Sequence, residues 1–272
     1  MDLNRKQFTT TFAGKNLTIE TSRLAEQATS AVIGKYDETT VLVSVVMGRE
    51  DKQTNYFPLT VDYEERFYAA GKIFGSRFIR REGRPSEEAI LSGRVIDRTI
   101  RPLFDHRLRR DVQVVVTVLS IDEKSDPDFI ALLTASTALA ISPIPWGGPV
   151  AGIKLVKRKS DNETLLNPDI AASQSDFLYS AFIAGTKGRI SMIELEGAEA
   201  GEPDVLDAFE SAQREIAKLV EWQEKIVREI GKPKAALPLK ESHPEIKDKI
   251  KKFLGNRLEE AIYVSGKKER EN

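Results

Sequence analysis

Seven arginines between positions 77 and 101 are the residues of this chain best suited to chemistry, and only four acidic residues accompany them. A guanidinium group keeps its charge when partly buried, and its N–H donors match two phosphate oxygens at once. A helix is expected over 86–101, and it carries Arg94, Arg98 and Arg101 at i, i+4 and i+7. These positions lie on one face of the helix within roughly 60° and extend over roughly 10 Å of the helix axis. The spacing therefore predicts a surface that binds the phosphate backbone of a nucleic acid.

An apolar pair, Phe78 and Ile79, lies in the loop before that helix and is followed by two arginines. An aromatic side chain beside arginines can stack a base, as it does in proteins that bind single strands. The competing interpretation is that the arginines pair with neighbouring acids and form an ordinary solvated face. Asp97, three residues after Arg94, is expected to pair with it.

The charge distribution favours a localised anion-binding surface. The whole chain has a net charge of -1, but residues 72–110 hold eleven Lys or Arg against five Asp or Glu. A basic patch on an acidic body is typical of a protein that binds an anionic partner. The same counts fit a solvated charged face, so composition alone leaves both interpretations open.

Other kinds of chemistry have few candidates. The absence of cysteine excludes disulfides, thiolate metal sites and cysteine nucleophiles. The two histidines leave little acid–base chemistry, although His106 is a weak candidate for a phosphate contact. The P-loop, H-E-x-x-H and G-x-S-x-G motifs are absent. Because the sequence has no signal-peptide core and no apolar run of about 18 residues, we expect a soluble, intracellular protein.

Strand and helix patterns alternate along the first 230 residues. Alternating or β-branched runs predict strands, and amphipathic runs that begin at N-cap signals and end at proline or glycine predict helices. Proline and glycine between 143 and 149 predict a subdomain seam. The expected strands are 7–12, 16–21, 39–47, 57–63, 111–121, 150–156, 177–183 and 189–194, and the expected helices are 86–101, 126–141 and 203–230.

A proline-bearing linker, 231–242, separates these elements from a last helical pattern. Ser242 and Glu245 form a capping box, and apolar residues recur at helical spacing from Ile246 to Ile262, which predicts one helix. Strands interrupted by helices, then helices alone, indicate an α+β domain followed by a helical element.

Three linked motifs resemble bacterial polynucleotide phosphorylase, in that family's order and spacing. They are YAAGKI at 68–73, FIRREGRPSE at 78–87 and IDRTIRPLF at 96–104. Weaker similarity runs through FPLTV at 57–61, LNP at 166–168 and AGT at 184–186, so the resemblance covers essentially the whole chain.

The resemblance implies an enzyme that degrades RNA from the 3′ end, uses inorganic phosphate to release nucleoside diphosphates, and can run in reverse as a polymerase. Members contain two RNase PH-like domains joined by an all-helical domain, followed by KH and S1 domains. They form a ring-shaped trimer that threads single-stranded RNA through a central channel, and they can join RNA-degradation complexes. By this resemblance, residues 1–232 form the first RNase PH-like domain, with a ribosomal protein S5 domain 2-like fold of mixed sheets and packed helices. Residues 233–272 are then the linker and a truncated start of the all-α domain.

The resemblance also assigns site residues. It implies that Arg80, Arg81, Arg84 and Arg101 contact RNA, and that the loop matching Phe78 and Ile79 narrows the channel. Helical spacing adds Arg94 and Arg98 to this RNA-binding set.

Catalysis is expected elsewhere. In the family, phosphate and Mg²⁺ are bound by the second RNase PH-like domain, through a serine-rich turn and a strand that supplies an aspartate and a lysine. The corresponding stretches here are 125–128 and 180–185, where Ser180 and Phe182 replace the aspartate and the lysine. Neither side chain offers the anionic oxygen that Mg²⁺ prefers. The resemblance therefore implies a catalytically silent, RNA-guiding portion of a cytoplasmic nucleotidyltransferase, with no metal ligand on this chain.

Two other hypotheses remain. The chain could be a stand-alone, non-catalytic RNA-binding ring protein, or an α+β domain whose charged face binds nothing. Salt-sensitive RNA binding that depends on Arg80, Arg81 and Arg84 distinguishes the last of these from the others.

Overall fold

A computed structural model of the chain describes residues 3–73, 84–122, 124–173, 177–241, 244–264 and 266. Two β-sheets enclose a central helix, and two further helices pack against the sheets. The contacts divide the chain into two units, Met1–Leu237 and Pro238–Asn272. No helix within the described ranges is both long and apolar enough to cross a membrane.

The first sheet has six strands in the order β1-β2-β3-β4-β6-β5. Neighbouring strands are antiparallel except β5 and β6, which are parallel. Buried residues alternate with more exposed ones along 39–45 of β4 and 112–118 of β6, because successive side chains point to opposite faces of a sheet. The strands are β1 (Lys6–Phe12), β2 (Lys15–Thr21), β3 (Ser30–Tyr36), β4 (Thr39–Asp51), β5 (Leu59–Glu64) and β6 (Arg110–Ser120).

The second sheet has four antiparallel strands in the order β10-β9-β7-β8. They are β7 (Ala151–Arg158), β8 (Thr164–Leu166), β9 (Phe177–Thr186) and β10 (Arg189–Gly197). The strand predictions for both sheets are confirmed, but β3 and the short β8 were missed. The α+β prediction is confirmed as well.

The central helix is α2 (Pro127–Ile141), which packs against both sheets. Asp126 is its N-cap and accepts a hydrogen bond from the Asp128 amide. All thirteen of its residues from Phe129 to Ile141 are buried, so this part of the helix has no solvent-exposed side. The helix lies close to β3 at Gly34, where an added Cβ would be 1.8 Å from Thr134 Oγ1. Only glycine permits this approach.

The larger unit contains two other long helices and the four-residue α3 (Ile170–Ser173). The helix α1 (Glu87–Ile100) packs on β5, and its Val95, Ile96, Thr99 and Ile100 are buried. The helix α4 (Glu202–Ile230) covers β7 and β9 with one apolar face.

Polar contacts fix the end of α4 and the chain after it to α2. The buried Gln223 amide donates to the Val150 carbonyl oxygen at 2.8 Å and accepts from Ser136 Oγ at 2.7 Å. Lys234 Nζ donates to the carbonyl oxygens of Leu139, Ala140 and Ser142, at 2.8 to 3.0 Å. These carbonyls lie at the C-terminal end of α2, where acceptors lack partners within the helix.

The smaller unit contains α5 (Pro244–Leu254) and α6 (Arg257–Ile262). The prediction of one continuous helix was wrong. Gly255 between them has φ +47°, a left-handed conformation that interrupts a right-handed helix. The expected capping residue, Ser242, lies outside the described residues.

Candidate nucleic-acid interface

The helix α1 positions the arginines and begins where the sequence predicts. Ser86 is its N-cap and accepts a hydrogen bond from the Ala89 amide at 2.9 Å. Glu87 and Glu88 lie in the first turn, where carboxylates interact favourably with the helix dipole. The buried face of α1 packs on β5, so the opposite face is left to solvent.

Arg101 is the most firmly held arginine of this helix. Its Nε and Nη2 donate to the two carboxylate oxygens of Asp97, both at 2.7 Å, and Nη2 also donates to the Leu59 carbonyl oxygen at 3.1 Å. The prediction that Asp97 pairs with Arg94 is therefore wrong. Asp97 pairs with the arginine four residues later, the i,i+4 spacing that brings two side chains together on a helix.

Arg98 extends across to the second sheet. Its guanidinium lies 3.8 Å from the Glu194 carboxylate on β10, and both side chains are exposed. Sequence spacing did not identify Glu194, because its proximity to α1 arises from packing between residues almost a hundred positions apart.

Arg84 and Arg94 have a different environment. Both are exposed and line a cavity of about 870 Å³ between α1, β5 and the turn at Phe67–Ala70. Neither has an ion-pair partner among the residues that the structure describes. The three predicted arginines of α1 thus share a helix face, but only Arg94 lacks a protein partner within the described part of the chain.

Four further predicted site residues, Phe78, Ile79, Arg80 and Arg81, lie outside the described residues. His106 lies close to Arg101 instead of facing the cavity. Its Nε2 is 3.2 Å from the Arg101 carbonyl oxygen, and its ring stacks on Phe57 with 6.2 Å between centroids.

A polar cluster that the sequence did not reveal lies behind α1. Tyr63 of β5, Ser92 of α1 and Asp128 of α2 meet there, and Ser92 Oγ donates to Asp128 Oδ2 at 3.0 Å. The other carboxylate oxygen, Oδ1, and the Tyr63 hydroxyl are both enclosed without a hydrogen-bond partner in the described part of the chain, although Asp128 as a whole residue is only half-buried. Burial, the larger cause, and the neighbouring Asp126 carboxylate, the second cause, raise the pKa of Asp128 to about 7. Burial also raises the pKa of Tyr63.

The two stretches that the resemblance matches to the family's catalytic motifs are close together. Lys154 Nζ lies 3.2 Å from Asp126 Oδ2 at the start of α2, and Lys154 pairs with Phe182 across β7 and β9. Ser180 and Phe182 are two apart on β9 and share a face. A hydroxyl and a phenyl ring at these positions do not fit Mg²⁺, and no group of three or more potential metal-binding side chains occurs in the described ranges.

The chain is similar to known proteins in sequence and in fold. Residues 13–145 match the model of the 3′ exoribonuclease family, domain 1. The crystal structure of rice (Oryza sativa) Rrp46 has a similar fold, with a TM-score of 0.60 over 84% of this chain and 96% of that chain at 12% identity. This likeness places the chain in the RNase PH-like fold.

Similarity to curated relatives extends along the whole chain. The polyribonucleotide nucleotidyltransferase of Heliobacterium modesticaldum is 44% identical over 97% of this chain and 37% of its own length. The enzymes of the same name from Bacillus pumilus and Bacillus subtilis are 42% and 40% identical, each over 100% of this chain and 38% of their own length. The chain thus spans less than two fifths of these relatives. It carries domain 1 of the 3′ exoribonuclease family and is a homologue of the N-terminal portion of the polyribonucleotide nucleotidyltransferases.

Proposed function

We propose that this chain binds and guides single-stranded RNA as the catalytically silent N-terminal portion of a phosphorolytic 3′–5′ exoribonuclease. The observation that carries the proposal is the position of Arg84 and Arg94. Both line an open cavity with no ion-pair partner among the described residues, on a chain that aligns throughout with polyribonucleotide nucleotidyltransferases. Unpaired guanidinium groups are suited to the negatively charged phosphates of RNA.

The remaining arginines have secondary roles in this proposal. Arg101 holds the end of α1 through Asp97 and the Leu59 carbonyl, with its Nη1 left for a phosphate. Arg98 exchanges its long ion pair with Glu194 for RNA. Arg80 and Arg81, with Phe78 and Ile79, form the channel constriction that the family resemblance implies.

Catalysis lies outside this chain in the proposal. Ser180 and Phe182 stand where the active domain of the family has an aspartate and a lysine, so the bound Mg²⁺ and the co-substrate phosphate belong to residues of another domain. We further propose residues 1–232 as the first RNase PH-like domain and 233–272 as the start of the helical linker. Homotrimeric assembly, RNA-degradation partners and a cytoplasmic location form part of the same proposal.

A phosphorolysis assay tests the catalytic division. Poly(A) is incubated with inorganic phosphate and Mg²⁺, and released ADP is measured for the complete polypeptide and for this chain alone. We expect ADP only from the complete polypeptide. Robust release by this chain alone would overturn the assignment of a silent domain.

A binding assay tests the RNA-guiding role. Fluorescence anisotropy of a labelled 12-nucleotide oligoadenylate is measured with this chain and with Arg84→Ala and Arg94→Ala. We expect each substitution to weaken binding by about tenfold, which is about 1.4 kcal/mol. Arg158→Ala is the matched control, because Arg158 is already paired with Asp161 and Glu163. Equal affinities of all four proteins would refute the role.

A further inference from the structure

The cavity beside α1 combines an apolar wall with cationic groups. Its volume of about 870 Å³ lies within the range of ligand pockets, about 300–1,000 Å³, and far exceeds the space that one phosphate needs. Phe67 and Ile90 contribute apolar surface to its lining, one from the turn after β5 and the other from α1. A site for phosphate alone does not need such a wall.

The acidic residues that line the cavity already have partners. Glu64 pairs with Arg66, and Asp97 pairs with Arg101. Asp62 accepts a hydrogen bond from Gln113 at 2.9 Å, and Glu65 accepts one from Ser86 at 2.7 Å.

The cavity is also lined by three cationic side chains, those of Lys72, Arg84 and Arg94. Unlike the two acids that form ion pairs, none of them has an ion-pair partner within the ranges that the structure describes. Within the described residues, two of the lining acids, Asp62 and Glu65, have no cationic partner, against these three cations. An anion that enters the cavity therefore meets more unpaired positive charge than negative charge among the described residues.

We propose that this cavity is a base pocket that receives one nucleoside of the RNA strand. The base lies against Phe67 and Ile90, and Arg84 and Arg94 bind the phosphates on either side of it. Stacking on an aromatic ring accepts every base, because each has a π-face. This inference rests on the proposed RNA-binding function and adds to it a pocket that recognises the base itself.

The test compares two probes that differ only in the base. One is a 12-nucleotide oligoadenylate, and the other is an abasic ribose-phosphate chain of the same length; anisotropy gives the affinity of each for the full chain. We expect the wild-type chain to bind the oligoadenylate about tenfold more tightly. Phe67→Ala and Ile90→Ala should each remove most of this difference and leave abasic binding unchanged.

Matched controls exist at the adjacent positions. Tyr68 is 58% exposed and Phe67 is 43% exposed, but of these two only Phe67 lines the cavity. Likewise, Leu91 is 58% exposed and Ile90 is 50% exposed, but of these two only Ile90 lines it. Tyr68→Ala and Leu91→Ala should therefore bind both probes as the wild type does. Ala70→Leu, which fills the cavity without adding an aromatic ring, should lower oligoadenylate binding as Phe67→Ala does. It keeps the test valid if that variant fails to fold.

The outcomes separate the two proposals. If Arg84→Ala and Arg94→Ala weaken both probes while the Phe67, Ile90 and Ala70 variants bind like the wild type, the base pocket is refuted and the RNA-guiding role stands. If the arginine variants bind both probes unchanged, the RNA-guiding role itself is refuted. Equal loss for both probes in Phe67→Ala would also overturn the pocket, because that substitution removes no charge.

Discussion

The substitution Asp128→Asn should stabilise the chain at neutral and alkaline pH. Asp128 Oδ1 and the Tyr63 hydroxyl are enclosed without a hydrogen-bond partner among the described residues, and the pKa of Asp128 is raised from 3.8 to about 7. Above pH 7 the folded chain thus contains a carboxylate whose charge is poorly solvated. Asparagine removes the charge, retains an acceptor for Ser92 Oγ, and provides an N–H donor towards the Tyr63 hydroxyl.

The direction in which stability changes with pH follows from proton binding to Asp128. Between pH 4 and pH 7 the folded chain keeps the Asp128 proton that the unfolded chain has lost, so this group makes stability fall as pH rises through that window. One pKa unit corresponds to about 1.4 kcal/mol, and a shift of about three units to about 4 kcal/mol. The interaction of a carboxylate with the N-terminus of α2 offsets about 0.3–1 kcal/mol of this. We expect a net gain of about 3 kcal/mol for Asp128→Asn at pH 8 and almost none at pH 4.

Urea denaturation at pH 5, 6, 7 and 8 measures the effect, because other titrating groups cancel in the difference between variant and wild type. The difference in the free energy of unfolding should grow from pH 5 to pH 7 and level off above. Glu88→Gln, an exposed first-turn residue of α1, should give a small difference that does not vary with pH. A constant difference for Asp128→Asn across this range would refute the reasoning.

Two further predictions concern packing around α2. Gln223→Leu leaves the Val150 carbonyl and the Ser136 hydroxyl without their amide partner and should cost about 2–3 kcal/mol in urea denaturation. Gln213→Leu should cost less, because Gln213 is only half-buried. Gly34→Ala should lower the free energy of unfolding by about 1–3 kcal/mol or more, since its Cβ would lie 1.8 Å from Thr134 Oγ1. Gly188→Ala should change it little, because a Cβ there has no atom within 4 Å. A Gly34→Ala chain as stable as the Gly188→Ala control would contradict the close approach of α2 to β3.

Local patterns were sufficient for most elements of the fold. The β-branched run of β4 and the largely apolar α2 were predictable because each carries a strong period or composition of its own. The strand β3 was missed because Gly34 interrupts a short apolar run, and its burial depends on contact with α2, far along the chain. Gly255 ends α5 through a left-handed backbone conformation that helical periodicity does not register.

The site was predictable to a smaller extent. Helical spacing placed Arg94, Arg98 and Arg101 on one face, but it did not identify the tertiary contacts of Arg101 with Leu59 and of Arg98 with Glu194. The enclosure of Asp128 Oδ1 also follows from three elements meeting, and no spacing in the sequence indicates it. The family resemblance supplied the expected RNA contacts at Arg80 and Arg81, which stay predictions.

The salt dependence of RNA binding tests the central claim most directly. The affinity of the full chain for a 12-nucleotide oligoadenylate is measured between about 50 and 200 mM salt, and the slope of log K against log salt counts the phosphates neutralised, at about 0.7 per contact for a single strand. The double variant Arg84→Ala/Arg94→Ala should reduce the magnitude of this slope by about 1.4, and Arg158→Ala should leave it unchanged. An unchanged slope in the double variant would contradict the claim that these two arginines bind the RNA backbone.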